Sequence, residues 1–137
     1  MATFTKFQPF VENLAEKVFN LGSDQLVVAL CAAANAPVNT NGTLSQLTQI
    51  SYTNLSSRNL TTASSAQTSG TYKLTINDLV LTASGNVATF RYVVIYDDTA
   101  ANDELIAFFD YGSDVTLANG DTFTIDFDGT NGLLQLA

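Results

Sequence analysis

Histidine and tryptophan are absent from this chain, cysteine occurs once, and five basic residues face thirteen acids. Without histidine the chain lacks the side chain that ordinarily exchanges protons near neutral pH, with an unperturbed pKa of about 6.5. A serine nucleophile would then need a lysine base, and none of Lys6, Lys17 or Lys73 stands in a Ser-x-x-Lys arrangement. The lone Cys31 allows neither an intrachain disulfide nor a thiolate metal cage, and inside the apolar run at residues 26–32 it reads as a small buried filler. Lys6, Lys17, Arg58, Lys73 and Arg91 are scattered singly along a chain of net charge −8 and pI 4.1. Neutralising phosphates requires clustered Lys and Arg, so neither nucleic acid nor an anionic membrane surface is expected as a partner. Residues 1–10 have no continuous apolar core, and no run approaches the roughly 18 apolar residues of a membrane span. Synthesis in a reducing cytoplasm is the expectation.

What is present is a scaffold. With 46% hydrophobic and 13% charged residues among 137, the chain is too apolar for disorder and long enough for one hydrophobic core. Residues 9–21 read as a short amphipathic helix. Pro9 suits its first position, Phe10, Leu14, Val18 and Leu21 share one face, and Gly22 supplies a stop. Residues 1–8 read as an amino-terminal arm carrying Phe4 and Phe7, and residues 9–137 as a single domain.

Beyond Gly22 the pattern is of strands. Residues 25–32 form an apolar run suited to a strand covered on both faces, and Leu44, Leu47 and Ile50 suggest one helical turn. Residues 51–70, rich in Ser, Thr and Asn but punctuated by Tyr52, Leu55 and Leu60, read as an extended surface excursion and the best candidate contact loop. Tyr72, Leu74 and Ile76 alternate with polar residues, as do Phe123, Ile125 and Phe127. Residues 87–96 and 104–111 form a hairpin, residues 114–117 a separate short strand, and the turn at 129–132 closes a last hairpin onto residues 133–136. The expected fold is all-β, an antiparallel β-sandwich of jelly-roll type with a short amino-terminal amphipathic helix.

Three acidic groupings have chemical potential. Asp97, Asp98, Asp103 and Glu104 flank one loop, as calcium ligands sometimes do, yet without a fixed ligand order they read as turn residues. The stretch 126–132 fails the EF-hand pattern, having Asn131 where glycine is required and Ala137 where glutamate is required. Asp97, Asp110 and Asp126 offer carboxylates for glycosidase chemistry only if the fold unites two of them. No metal and no cofactor is expected. The sequons at Asn41, Asn54 and Asn59 read as polar loop composition.

The stretch Phe-x-Pro-Phe-Val-Glu-Asn-Leu-Ala-Glu-Lys-Val at residues 7–18, together with Ser-Gly-Thr-Tyr-Lys-Leu at 69–74, Phe-Arg-Tyr-Val-Val-Ile-Tyr at 90–96 and Asp-Phe-Asp-Gly-Thr-Asn-Gly at 126–132, resembles small virion structural proteins of tailed bacteriophages. The likeness departs most over residues 35–67. It implies a non-enzymatic coat component, a capsid decoration or cement protein on the capsid surface of the virion, which stabilises the shell by bridging subunits of the major capsid protein. Such a component is homo-oligomeric or present in many copies on the particle. Within this reading Phe4, Phe7, Tyr52 and Arg58 are the expected partner contacts, three aromatic anchors and one cation. The alternative is a tail- or fibre-associated module that binds carbohydrate or a receptor.

Overall fold

A computed structural model describes residues 2–137. Its elements are β1 (Thr3–Lys6), α1 (Gln8–Ala15), β2 (Leu26–Cys31), β3 (Thr62–Thr68), β4 (Thr71–Ile76), β5 (Leu79–Thr82), β6 (Phe90–Asp97), β7 (Leu105–Val115), β8 (Thr122–Ile125) and β9 (Leu134–Leu136), with single 3-10 turns at Ala33–Asn35 and Leu44–Gln46. Every strand pairing is antiparallel, in a four-stranded sheet of order β1-β7-β6-β2, a three-stranded sheet β3-β4-β9 and a two-stranded sheet β5-β8. The chain is thus all-β with one α-helix. No helix among the described residues is long and apolar enough to cross a membrane.

The amino-terminal segment is an edge strand of the main sheet, not a separate arm. β1 pairs with β7 in the register Thr3↔Asp110 to Lys6↔Ala107, and the Phe7 N–H continues the ladder to the Ile106 carbonyl at 3.1 Å. Phe7 is fully buried against Phe108, their ring centroids 5.1 Å apart.

The helix is shorter than its apolar spacing predicts. It starts at Gln8, with Pro9 in its first turn, and ends where Lys17 adopts the left-handed conformation, φ 67°. The Val18 N–H then bonds the Asn13 carbonyl at 2.9 Å, closing a Schellman-type stop without glycine. This early reversal brings Phe19 back over Phe10, ring centroids 5.2 Å apart, and buries both along with Leu21. Tertiary packing of Phe19 thus overrides the 4-4-3 spacing that points to a longer helix.

Every residue of β2 is buried, as its apolar run predicts. Its outer edge is covered by residues 50–60 in extended, irregular form. Ile50 N–H bonds the Leu30 carbonyl, Val28 N–H the Arg58 carbonyl, and Leu60 N–H the Leu26 carbonyl. The polar composition of this stretch follows from its place, since it satisfies an edge while facing outward.

Two strand assignments differ from the sequence expectation. β7 runs unbroken to Val115, so residues 114–117 are not a separate strand. Between the pairs Tyr92↔Asp110 and Phe90↔Val115, β7 holds extra residues looped out at Gly112, whose φ of 93° suits glycine. β8 pairs with β5, and β9 pairs with β4, so the turn at 129–132 does not close a hairpin. Instead it carries the chain from one sheet to another. Gly132, at φ 79°, passes so close to β4 that a Cβ would lie 2.5 Å from the Leu74 carbonyl oxygen.

The core joins all three sheets, with Phe90, Leu26, Leu30, Leu74, Leu81, Ile95, Leu105 and Ile106 nearly or fully inaccessible. Cys31 lies in it, and burial pushes its thiol up to about 11.

Candidate functional site

In the main sheet the row Phe4, Phe109, Val93, on β1, β7 and β6, runs out to the open edge at β1. Under this edge lies a groove of about 600 Å³. Its other wall is Phe123 and Ile125 of β8, followed by Phe127 and Leu133, with Tyr111 at one end. Edge-to-face contacts organise the rings. Phe4 meets Phe109 at 5.3 Å, Phe109 meets Phe127 at 6.4 Å, and Tyr111 meets Phe123 at 5.3 Å between centroids. Phe4 is 42% exposed and Tyr111 45%. An aromatic-lined concavity with two rings half open to water is the kind of surface that a partner or ligand covers.

The alternation that builds β8 continues past its end. Phe123, Ile125 and Phe127 turn inward, while Thr122, Thr124, Asp126 and Asp128 are exposed. The groove therefore has an apolar floor and an acidic rim. Asp128 is held below the usual carboxylate range chiefly by the Asn131 backbone N–H, with the Asn131 side-chain amide and the Thr130 N–H adding to it.

Of the four residues singled out by sequence, the fold brings together only Tyr52 and Arg58. The Arg58 guanidinium lies 3.6 Å from the Tyr52 ring centroid. Its Nη1 donates to the Val28 carbonyl at 2.6 Å, while the Tyr52 hydroxyl accepts from the Leu30 N–H at 2.9 Å and donates to Gln49 Oε1 at 2.6 Å. Both side chains are half-buried and complete the edge of β2, the Tyr52 hydroxyl and the Arg58 Nη1 being bonded within the chain. Phe7 is core and unavailable to a partner. Phe4 alone reaches the groove, at the opposite edge of the main sheet from the segment that carries Tyr52 and Arg58.

The carboxylates do not converge on a catalytic pair. Asp110 forms a two-point ion pair with Arg91, Nε to Oδ1 at 2.8 Å and Nη2 to Oδ2 at 3.2 Å, which holds it below the usual range. It sits opposite Tyr92, five residues along β6 from Asp97, or about 17 Å. Asp126 lies on the groove rim.

Asp97 is fully buried and serves its own loop, Oδ1 accepting from the Thr99 and Ala100 N–H groups at 2.9 and 3.1 Å. Glu104 likewise accepts from the Asn102 backbone and side chain. Asp97 Oδ2 has no donor within reach. Burial, and then the neighbouring Asp24 carboxyl, push Asp97 up to about 7, so that in its protonated form it can donate to Asp24.

Sequence reasoning missed Phe109, Tyr111, Phe123 and Phe127 as surface candidates. The period-2 pattern of residues 122–128 announces an inward face, but not that the face is left partly uncovered. Comparison with protein-family models, curated proteins and solved structures finds no match.

Proposed function

We propose that this protein is a non-enzymatic structural component of a tailed-bacteriophage virion, a capsid decoration protein that stabilises the shell by bridging subunits of the major capsid protein. In this reading it occupies the capsid surface in many copies, and its three sheets form the layers of a jelly-roll-like β-sandwich. The observation that carries the proposal is Phe4, a large apolar side chain held half exposed by a paired edge strand at the mouth of the aromatic groove. A preformed anchor of this kind loses little conformational freedom on binding, and many copies multiply a modest contact into firm attachment. Asp110, paired with Arg91, and Glu104, which accepts from the Asn102 backbone and side chain, commit their carboxylates to the scaffold, in keeping with a structural role.

The test is addition of the purified protein to assembled phage shells, followed by sedimentation and imaging. Saturable, regular occupancy at subunit joints, lost in Phe4→Ala, is expected. Absence of the wild-type protein from every shell position overturns the proposal.

A second reading, a tail- or fibre-associated carbohydrate-binding module, is favoured by one observation: the exposed Tyr111 ring opens on a groove also lined by the Asp126 carboxylate, a stacking surface beside a hydroxyl acceptor. Saturable glycan binding lost in Tyr111→Ala, with no attachment to shells, would select it.

A further inference from the structure

We propose that the groove between β1 and β8 receives an extended segment of a partner protein in which large apolar side chains alternate with lysine or arginine. The inference rests on the reading of the protein as a bridging coat component and adds the chemistry of what it grips.

Three features of the groove define the occupant. Its floor is aromatic and aliphatic, built from Phe4, Phe109, Phe123, Ile125 and Phe127, and so demands large apolar side chains. The strands on either side, β1 and β8, each have one edge with no strand neighbour among the described residues. A backbone laid along such an edge gains ladder hydrogen bonds while its side chains alternate between floor and rim. The rim bears Asp126 and Asp128, both exposed and both outside the one ion pair found among the described residues, Arg91–Asp110. Lys73 acts on Asp128 only at a distance, its ammonium donating to the Thr130 carbonyl at 2.8 Å.

The register of the chemistry then follows from the pleat. On a strand placed beside β8, residues level with Phe123 and Ile125 point to the floor and those level with Thr124 to the rim, and just beyond the end of β8 the rim continues in Asp126 and Asp128. Cross-strand pairs of opposite charge stabilise such an arrangement, and like charges oppose it. A second copy of this chain does not supply the complement: its basic residues occur singly, and the two flanked by large apolar side chains, Lys73 and Arg91, lie on β4 and β6, which already have a strand on each side. The occupant is therefore a different protein.

The probe is a capped peptide of alternating Lys and Phe or Val, titrated into the full chain and followed by calorimetry and by amide chemical shifts. Controls are the same peptide with Glu for every Lys, and one with a central proline that cannot add to a strand edge. We expect the basic peptide to bind at least about tenfold more tightly than either control, with shifts centred on residues 122–128. Asp126→Asn with Asp128→Asn, which keeps the oxygen that caps the 128–131 turn, is expected to remove most of the preference for the basic peptide. Asp98→Asn with Glu16→Gln, off the groove, is expected to leave it. Phe4→Ala weakens every peptide.

Equal binding of basic and acidic peptides, binding of the proline peptide, undiminished preference in the rim variant, or no binding at all overturns the inference. If the peptide fails while Phe4→Ala still abolishes attachment to shells, the coat role stands and only the occupant is wrong. If the peptide binds and the protein occupies no shell, the groove chemistry stands and the coat role falls.

Discussion

The guanidinium carbon of Arg58 lies over the Tyr52 ring, 3.6 Å from its centroid, and the two side chains together finish the hydrogen-bonding edge of β2. Tyr52→Phe keeps the stack but removes the hydroxyl that accepts from Leu30 N–H, leaving a donor inside the fold without a partner. The expected cost is about 1–3 kcal/mol in urea unfolding. Arg58→Lys loses the guanidinium over the ring and the Nη1 bond to the Val28 carbonyl and is expected to destabilise as well. A loss of shell attachment with unchanged stability in both variants would assign them to partner contact instead.

Phe4 and Phe7, three residues apart, are expected to behave oppositely. Phe7→Ala empties a fully buried site and should lower stability by about 3–5 kcal/mol. Phe4→Ala, at an exposed edge, should lower it by less than about 1.5 kcal/mol while weakening whatever covers the groove. Deleting residues 1–7 removes an edge strand together with Phe7, so it should destabilise at least as much as Phe7→Ala. Thermal or urea unfolding of the three variants decides the matter, and equal losses for Phe4 and Phe7 would refute the assignment.

Stability should fall as pH rises from about 4 to about 7. Asp97 binds its proton more tightly in the folded chain, where its pKa is about 7, than in the unfolded chain, where it is ordinary. Between these values the folded state holds one more proton, so its advantage is complete below the ordinary value and is lost as pH rises through the folded one, at up to roughly 1.4 kcal/mol per pH unit. Asp110 and Asp128, both held low, act in the opposite sense, and their contributions vanish as the pH falls below about 4. In Asp97→Asn the amide can donate to Asp24 at any pH, so the decline between pH 4 and 7 should flatten. A pH profile of urea midpoints unchanged by this substitution would disprove the carboxyl pair.

Cys31 is sealed in β2 with its thiol pushed up to about 11. Alkylation by iodoacetamide at pH 8 should be slow in the native protein and rapid in urea. Fast native labelling would mean that β2 opens far more often than its burial suggests.

Local periodicity is what the sequence by itself determined. The apolar run of β2, the alternations at residues 72–76 and 122–127, the start of a helix beside Pro9 and the turn near Leu44 all depend on near neighbours, so they were legible as written. Pairing is another matter. That β8 joins β5, β9 joins β4 and residues 3–6 join β7 depends on contacts between segments far apart in the chain, and an alternating strand carries no record of its neighbour. The helix stops at Ala15 and the chain turns at Lys17 because Phe19 returns to Phe10, a packing that outweighs the unfavourable left-handed conformation of a lysine. The same holds for the candidate site. Phe7 and Phe4 are alike in sequence, but one is sealed against Phe108 and the other overhangs a groove. Asp97 comes to lie opposite Leu26, close after Asp24 in the chain, only because β2 and β6 are neighbours. What a side chain can do is set by what folds over it, and that was decided by the tertiary structure alone.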